Sequence, residues 1–284
     1  MPFSKEELDE LRQAKLLLEN PGLAAKLASY VGSPVEKGMK MLPKKWQAGV
    51  HSATEKALMK ALDVAVRSLG GRSAVGGGRN ASNQAHKIAV ATSGAVGGAF
   101  GLIALGVELP ISTTIILRSI ADIAASEGED PRHIDTKLAC LVVFALGSPT
   151  DARDNAAESG YFAARSALAT AVTEASKHLA QKGLAKGGGP ALVRLVSLIA
   201  ARFGVVVSEK TAAQLVPVIG AAGGAAVNLL FIAHFQRMAR GHFVVRRLER
   251  TYGKDEVQRA YEGRVTAVIA PPKLLMKSEP PRLA

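Results

Sequence analysis

A chain of 284 residues with 48% hydrophobic residues is long enough to bury one large core, and 28 glycines beside only 5% aromatics point to closely packed helices. A net charge of +12 and a pI near 9.9 favour anionic partners. No recognisable nucleic-acid module is present and the basic residues are not interleaved with aromatics, which argues against DNA or RNA and leaves an anionic membrane surface or an acidic protein. The single cysteine, Cys140, excludes an internal disulfide and, set in LACLVVFALG, reads as a small buried hydrophobe in a reducing compartment.

The opening MPFSKEELDEL carries acids where a secretory signal would carry its apolar run, so the expected location is the cytoplasmic side. Residues 4–20 read as a helix capped by Ser4 with Glu7 completing a capping box, and Asn20-Pro21-Gly22 ends it. A short helix over 23–30 and a longer one over 44–69 follow, before the glycine-rich loop at 70–78. A helix starting near Ser82 is expected to bend at Glu108-Leu109-Pro110 and resume over 111–126, as a helical hairpin or a kinked helix. Helices over 135–146, 154–180, 191–207, 208–235 with Pro217 inside, 237–252 and 255–261 complete the set. The sole strand candidate is 264–270, and the proline-rich end reads as disordered.

The fold class expected is all-α, a single large multi-helix bundle with Gly-rich apolar helical hairpins. Residues 1–80 form an N-terminal helical segment packed on a core of residues 81–263, and 264–284 form a tail. Two uncharged stretches, 88–107 and 211–236, are long enough to span a bilayer. Their Gly, Ala and hydroxyl content weakens them as spans, and small-xxx-small spacing at Gly94/Gly98, Gly97/Gly101 and Gly220/Gly224 suits either a buried core hairpin or a membrane hairpin. The same faces would also serve a homodimer.

Polar chemistry gathers beside these stretches. Glu108 ends the first, and Arg118 and Asp122 follow it at i,i+4 among Ile and Leu; the three read as an ion-pair network fixing the hairpin or as the lining of a ligand cavity. His234 and His242 lie eight apart, too far to chelate one metal, so no metal and no cofactor is expected. Arg237, Arg240, Arg246, Arg247 and Arg250 make a basic helix where anionic lipid would be met, or else a solvated face. A phosphate-loop imitation at Gly204–Thr211 fails because Glu209 replaces the glycine whose amide would cradle phosphate.

The runs GAVGGAFGLIALGVELPISTTIILRSIADIAASEGED, SGYFAAR and ARFGVVVSEKTAAQLVPVIGAAGGAAVNLLFIAHFQRMARGHFVVRRLERTYG resemble the EcsC family of bacterial proteins, over about 94–261. The family takes its name from a protein encoded beside an ABC transporter, so the resemblance implies a mostly helical, cytoplasmic-face protein linked to transport or secretion. Glu108, Arg118, Asp122, Lys210, Asn228, His234, His242, Arg246, Arg247 and Glu249 fall on its motif positions, without roles attached. The function expected is a membrane-associated, non-enzymatic protein that binds anionic lipid or a membrane-protein partner through Glu108, Arg118, Asp122, His234, His242, Arg246 and Arg247. The alternative is a hydrolase of lipid or peptide with a polar cavity around Glu108, Arg118 and His234; no catalytic residue is identifiable for it.

Overall fold

The computed structural model describes residues 3–19, 23, 26–27, 44–68, 101–147, 160–184, 189–214 and 220–263. They form eight helices and, among the described residues, no strand. In chain order these are α1 (Lys5–Glu19), α2 (Lys44–Ser68), α3 (Gly101–Ser126), α4 (Ile134–Val142, continued by a 3-10 turn at Val143–Ala145), α5 (Gly160–Lys182), α6 (Pro190–Gln214), α7 (Gly220–Tyr252) and α8 (Lys254–Tyr261). The fold is an all-α bundle.

The 33-residue α7 is its axis, packing against α1, α3, α6 and α8. On its other side α2 closes the bundle against α3 and α6. The centre is aromatic: Phe144 of the 3-10 turn, Phe203 of α6 and Phe231 and Phe235 of α7 meet with ring centroids 5.0 to 6.1 Å apart.

Local chemistry starts and stops these helices as the sequence leads one to expect. Ser4 N donates to Glu7 Oε2 at 2.8 Å and Glu7 N to Ser4 Oγ at 3.1 Å, a reciprocal capping box. Leu8, Leu11, Ala14 and Leu18 then give α1 one buried face. Gly253, at φ 86°, separates α7 from α8.

Gly241 of α7 sits where α1 crosses it. A β-carbon there would lie 2.6 Å from Leu18 Cγ and 3.0 Å from Ala14 O, so only glycine admits this approach. Gly241→Ala is therefore expected to lower stability by about 1–3 kcal/mol by prising α1 off α7. Gly204→Ala in α6, where an added methyl meets nothing within 4 Å, is expected to raise it by up to roughly 1 kcal/mol. Paired urea titrations check both, and equal effects would mean that α1 does not dock as described.

Three expectations are corrected. Of the two readings at Glu108–Pro110, the hairpin is not formed: α3 continues through Pro110 as one helix. An interior proline costs about 3 kcal/mol, but Leu109, Ile116, Leu117 and Ile120 on either side of it all reach the core, and that burial outweighs the lost hydrogen bond. The break placed at 207/208 is absent, because Ser208 Oγ donates to Gly204 O at 2.8 Å and is absorbed into α6. Nor does a new helix begin at Arg237, since nothing between Gly220 and Tyr252 interrupts α7.

The proposed helix start near Ser82, most of the first uncharged stretch, Pro217, the strand candidate and the tail lie outside the described residues. Two described helical segments are long and apolar enough to cross a membrane, Glu108–Ser126 and Pro190–Ala213, with mean hydropathy 1.2 and 1.9. Neither coincides with the stretches the sequence singled out. About half of each is buried inside the bundle, which core helices of soluble proteins share.

Candidate functional site

Where α3, α6 and α7 meet, the core encloses a charged pair. Glu108 of α3 is 7% exposed and Lys210 of α6 is fully buried; Lys210 Nζ donates to Glu108 Oε1 at 2.6 Å. Asn228 Nδ2 of α7 donates to the same oxygen at 3.3 Å, and the Lys210 ammonium lies 4.8 Å from the centre of the Phe231 ring. Burial pushes the Lys210 ammonium below the ordinary lysine value, and the Glu108 carboxylate opposes that. Thr113 Oγ1, five residues beyond Glu108, is buried without a hydrogen-bond partner. The arrangement fastens three helices at one polar point in an apolar wall.

The expected companions of Glu108 are elsewhere. Arg118 and Asp122 are exposed and lie ten and fourteen residues further along α3, about 15 and 21 Å at the helical rise. The cavity joining Glu108, Arg118 and His234 is therefore not formed: Arg118 is on the surface, and Glu108 faces Lys210 instead.

His234 is buried edge-to-face on Phe235, with ring centroids 5.0 Å apart. Its ring lies against Gly147, where an added β-carbon would be 2.7 Å from His234 Cε1 and 2.9 Å from Nε2. Burial first, then the nearby Arg237 and Lys26, push its pKa down to about 3, so the imidazole is neutral at physiological pH. His242 is held well below the ordinary value by burial and by Arg165 and Arg246; its Nδ1 lies 2.9 Å from Tyr161 Oη. Arg165 ties that pair to α7 by donating to both carboxylate oxygens of Glu249, at 2.7 and 2.9 Å. Among the described residues, no three His, Cys, Asp or Glu side chains gather as a metal site would require.

The basic end of α7 meets the protein's own acids. Arg246 Nε and Arg250 donate to Glu129 Oε1 at 2.9 and 2.5 Å, and Arg247 pairs with Glu10 at 2.5 Å and Glu127 at 3.4 Å. Burial would raise the Glu129 carboxyl, but Arg246, Thr136 and Arg250 together hold it below the ordinary carboxylate value. Arg246 and Arg247 thus bolt α7 to α1 and to the turn after α3, and their charge is largely compensated.

Lys210 and Asn228 were not read as site residues from the sequence. A partial signal was available: Glu108 is the only acid between residues 88 and 121, and an acid in so apolar a segment needs a cation of similar surroundings, a description that Lys210 meets.

No curated protein and no solved structure matches the chain. The model of the EcsC protein family matches residues 77–248, more than half of the chain and the whole of the Glu108–Lys210–Asn228 junction. The chain belongs to the EcsC protein family.

Proposed function

We propose that this is a membrane-associated, non-enzymatic protein that seats one apolar pole of its bundle on a lipid bilayer or on the apolar flank of a membrane protein. The observation that carries the reading is the charge map of the three helices joined at Glu108. Residues 101–117 of α3 hold one charge, Glu108; residues 203–214 of α6 hold Glu209 and Lys210; residues 220–236 of α7 hold no Asp, Glu, Lys or Arg. All three of those charges are buried. The pole therefore offers no exposed charge along these stretches, while it does expose Ile111 (49%), Leu229 (38%) and Val205 (37%).

This shifts the contact away from the arginines. With Arg246, Arg247 and Arg250 engaged by Glu129, Glu127 and Glu10, the net +12 steers the protein toward an anionic surface at long range, and apolar burial holds it there. The cytoplasmic face of a membrane, and the linkage to transport or secretion, follow as part of this proposal.

Vesicle flotation tests it. The protein is expected to float with anionic phosphatidylcholine–phosphatidylglycerol vesicles and to stay bound in 1 M salt, where screening shortens to about 3 Å. Ile111→Asp with Val205→Asp and Leu229→Asp should lower the bound fraction at least tenfold without changing the helical circular-dichroism signal. Loss of binding in salt, or full binding by the triple variant, would overturn the apolar seat.

A further inference from the structure

The more apolar of the two bilayer-length segments is the less buried. Pro190–Ala213 of α6 has a mean hydropathy of 1.9, yet 44% of its apolar window is buried, against 56% for Glu108–Ser126 at 1.2. Folding against water alone favours the reverse order. Among the described residues, three of the six exposed large hydrophobic side chains stand on α6: Val193 (46%), Leu198 (39%) and Val205.

The outward side of α6 is uncharged over most of its length. At about 100° per residue, Ser197, Leu198, Ala201, Gly204, Val205 and Ser208 fall within an arc of roughly 120°, and all six are exposed or half-exposed. Arg202 stands at the margin of this arc, and Arg194, paired with Glu174 at 3.3 Å, closes its N-terminal end. Both hydroxyls in the arc are satisfied from within: Ser197 Oγ donates to Glu55 Oε1 at 2.7 Å and Ser208 Oγ to Gly204 O at 2.8 Å. An apolar phase laid over the arc therefore strands no donor. A β-carbon built on Gly204 meets nothing within 4 Å, so no described part of the chain lies over that point.

We propose that α6 lies along the bilayer surface, with its uncharged arc among the acyl chains and Arg194 and Arg202 at the level of anionic headgroups. This placement rests on the membrane seat proposed above and extends it, since Val205 belongs to both the pole and the arc. The stripe from Val193 to Val205 runs about 18 Å along the helix, and interfacial helices sink about 5–10 Å into the headgroup and acyl boundary. Charge favours a bilayer over a second copy as the occupant. A two-fold axis through the middle of the arc passes beside residue 202, so pairing would bring two Arg202 side chains together and oppose two net charges of +12, whereas an anionic surface attracts both.

The test uses the full chain with single cysteines carrying an environment-sensitive nitrobenzoxadiazole label. Cys140 is fully buried, so the label goes to the introduced thiol under native conditions, and the unsubstituted chain is the blank. Val193→Cys and Leu198→Cys report on the arc, Ile111→Cys and Leu229→Cys on the pole, and Gln13→Cys, exposed on α1, on solvent. With phosphatidylcholine–phosphatidylglycerol vesicles, emission from 193, 198, 111 and 229 is expected to shift to the blue while that from 13 stays. Val193→Asp with Leu198→Asp should weaken vesicle partition about tenfold. Both side chains are exposed, so this variant should melt within a few degrees of the native chain.

A blue shift at 111 and 229 alone would mean that the bundle stands on its pole with α6 clear of the lipid, which overturns the placement of α6 and keeps the membrane seat. A shift at 193 and 198 alone keeps the placement and overturns the pole. No shift at any position, with full partition of the double aspartate variant, overturns both. A blue shift at 193 and 198 without vesicles, rising with protein concentration and accompanied by disulfide-linked Leu198→Cys dimers, would assign the arc to a second copy and overturn the bilayer as its occupant.

Discussion

Lys210→Met is expected to lower the unfolding free energy by about 3–5 kcal/mol, the cost of leaving the Glu108 carboxylate buried without its cation. The side chains are nearly isosteric, so the loss comes from charge and not from a cavity. Glu108→Gln together with Lys210→Met should recover most of it, because replacing a whole buried ion pair by neutral groups of similar volume is often close to neutral. Urea denaturation of the two single variants and the double variant closes the cycle. Additive losses would mean that the 2.6 Å contact contributes nothing specific and that Glu108 and Lys210 act separately. The double variant has a second use. If it folds and still floats with vesicles, the pair serves the fold of the pole; if it folds and no longer floats, the polar junction itself belongs to the contact.

The pattern of what the sequence revealed follows from the range of the forces involved. Capping and termination are local: Ser4 with Glu7, and Gly253 with its positive φ, depend on neighbours within a few residues, and these boundaries were legible. The hairpin reading at Pro110 and the break at Ser208 misled because local breaking tendency competes with burial contributed by distant helices, and burial won at both positions. The same divide separates the site residues. Arg118 and Asp122 looked like companions of Glu108 because they are near it in sequence, but an α-helix moves them a long way along its axis. Lys210 and Asn228 are 102 and 120 residues from Glu108, and only the packing of α3, α6 and α7 brings them together. Arg246 and Arg247 read as free charge for the same reason: Glu129 and Glu10, their partners, lie 117 and 237 residues away.

Acidification should unfold the protein well before its carboxylates are all protonated, and the two buried histidines are the cause. His234 has a pKa of about 3 in the folded state against an ordinary value of 6.5, so between those limits the unfolded chain binds the extra proton. Stability then rises with pH: the full contribution is present above 6.5 and is lost progressively as pH falls toward 3. At about 1.4 kcal/mol per pH unit, His234 alone removes roughly 3 kcal/mol between pH 6.5 and 4.5, a large part of the 5–15 kcal/mol typical of a whole protein. His242 is depressed by burial, Arg165 and Arg246, and acts in the same direction over the same approach from neutrality. Glu129, a depressed carboxyl, adds to the loss at lower pH, as it takes up a proton and releases Arg246 and Arg250. Urea midpoints measured at pH 7.5, 6.0 and 5.0 should fall steadily, and His234→Gln should fall less steeply while starting lower. A midpoint unchanged from pH 7.5 to 5.0 would mean that His234 and His242 titrate in the folded protein and are not sealed in the core.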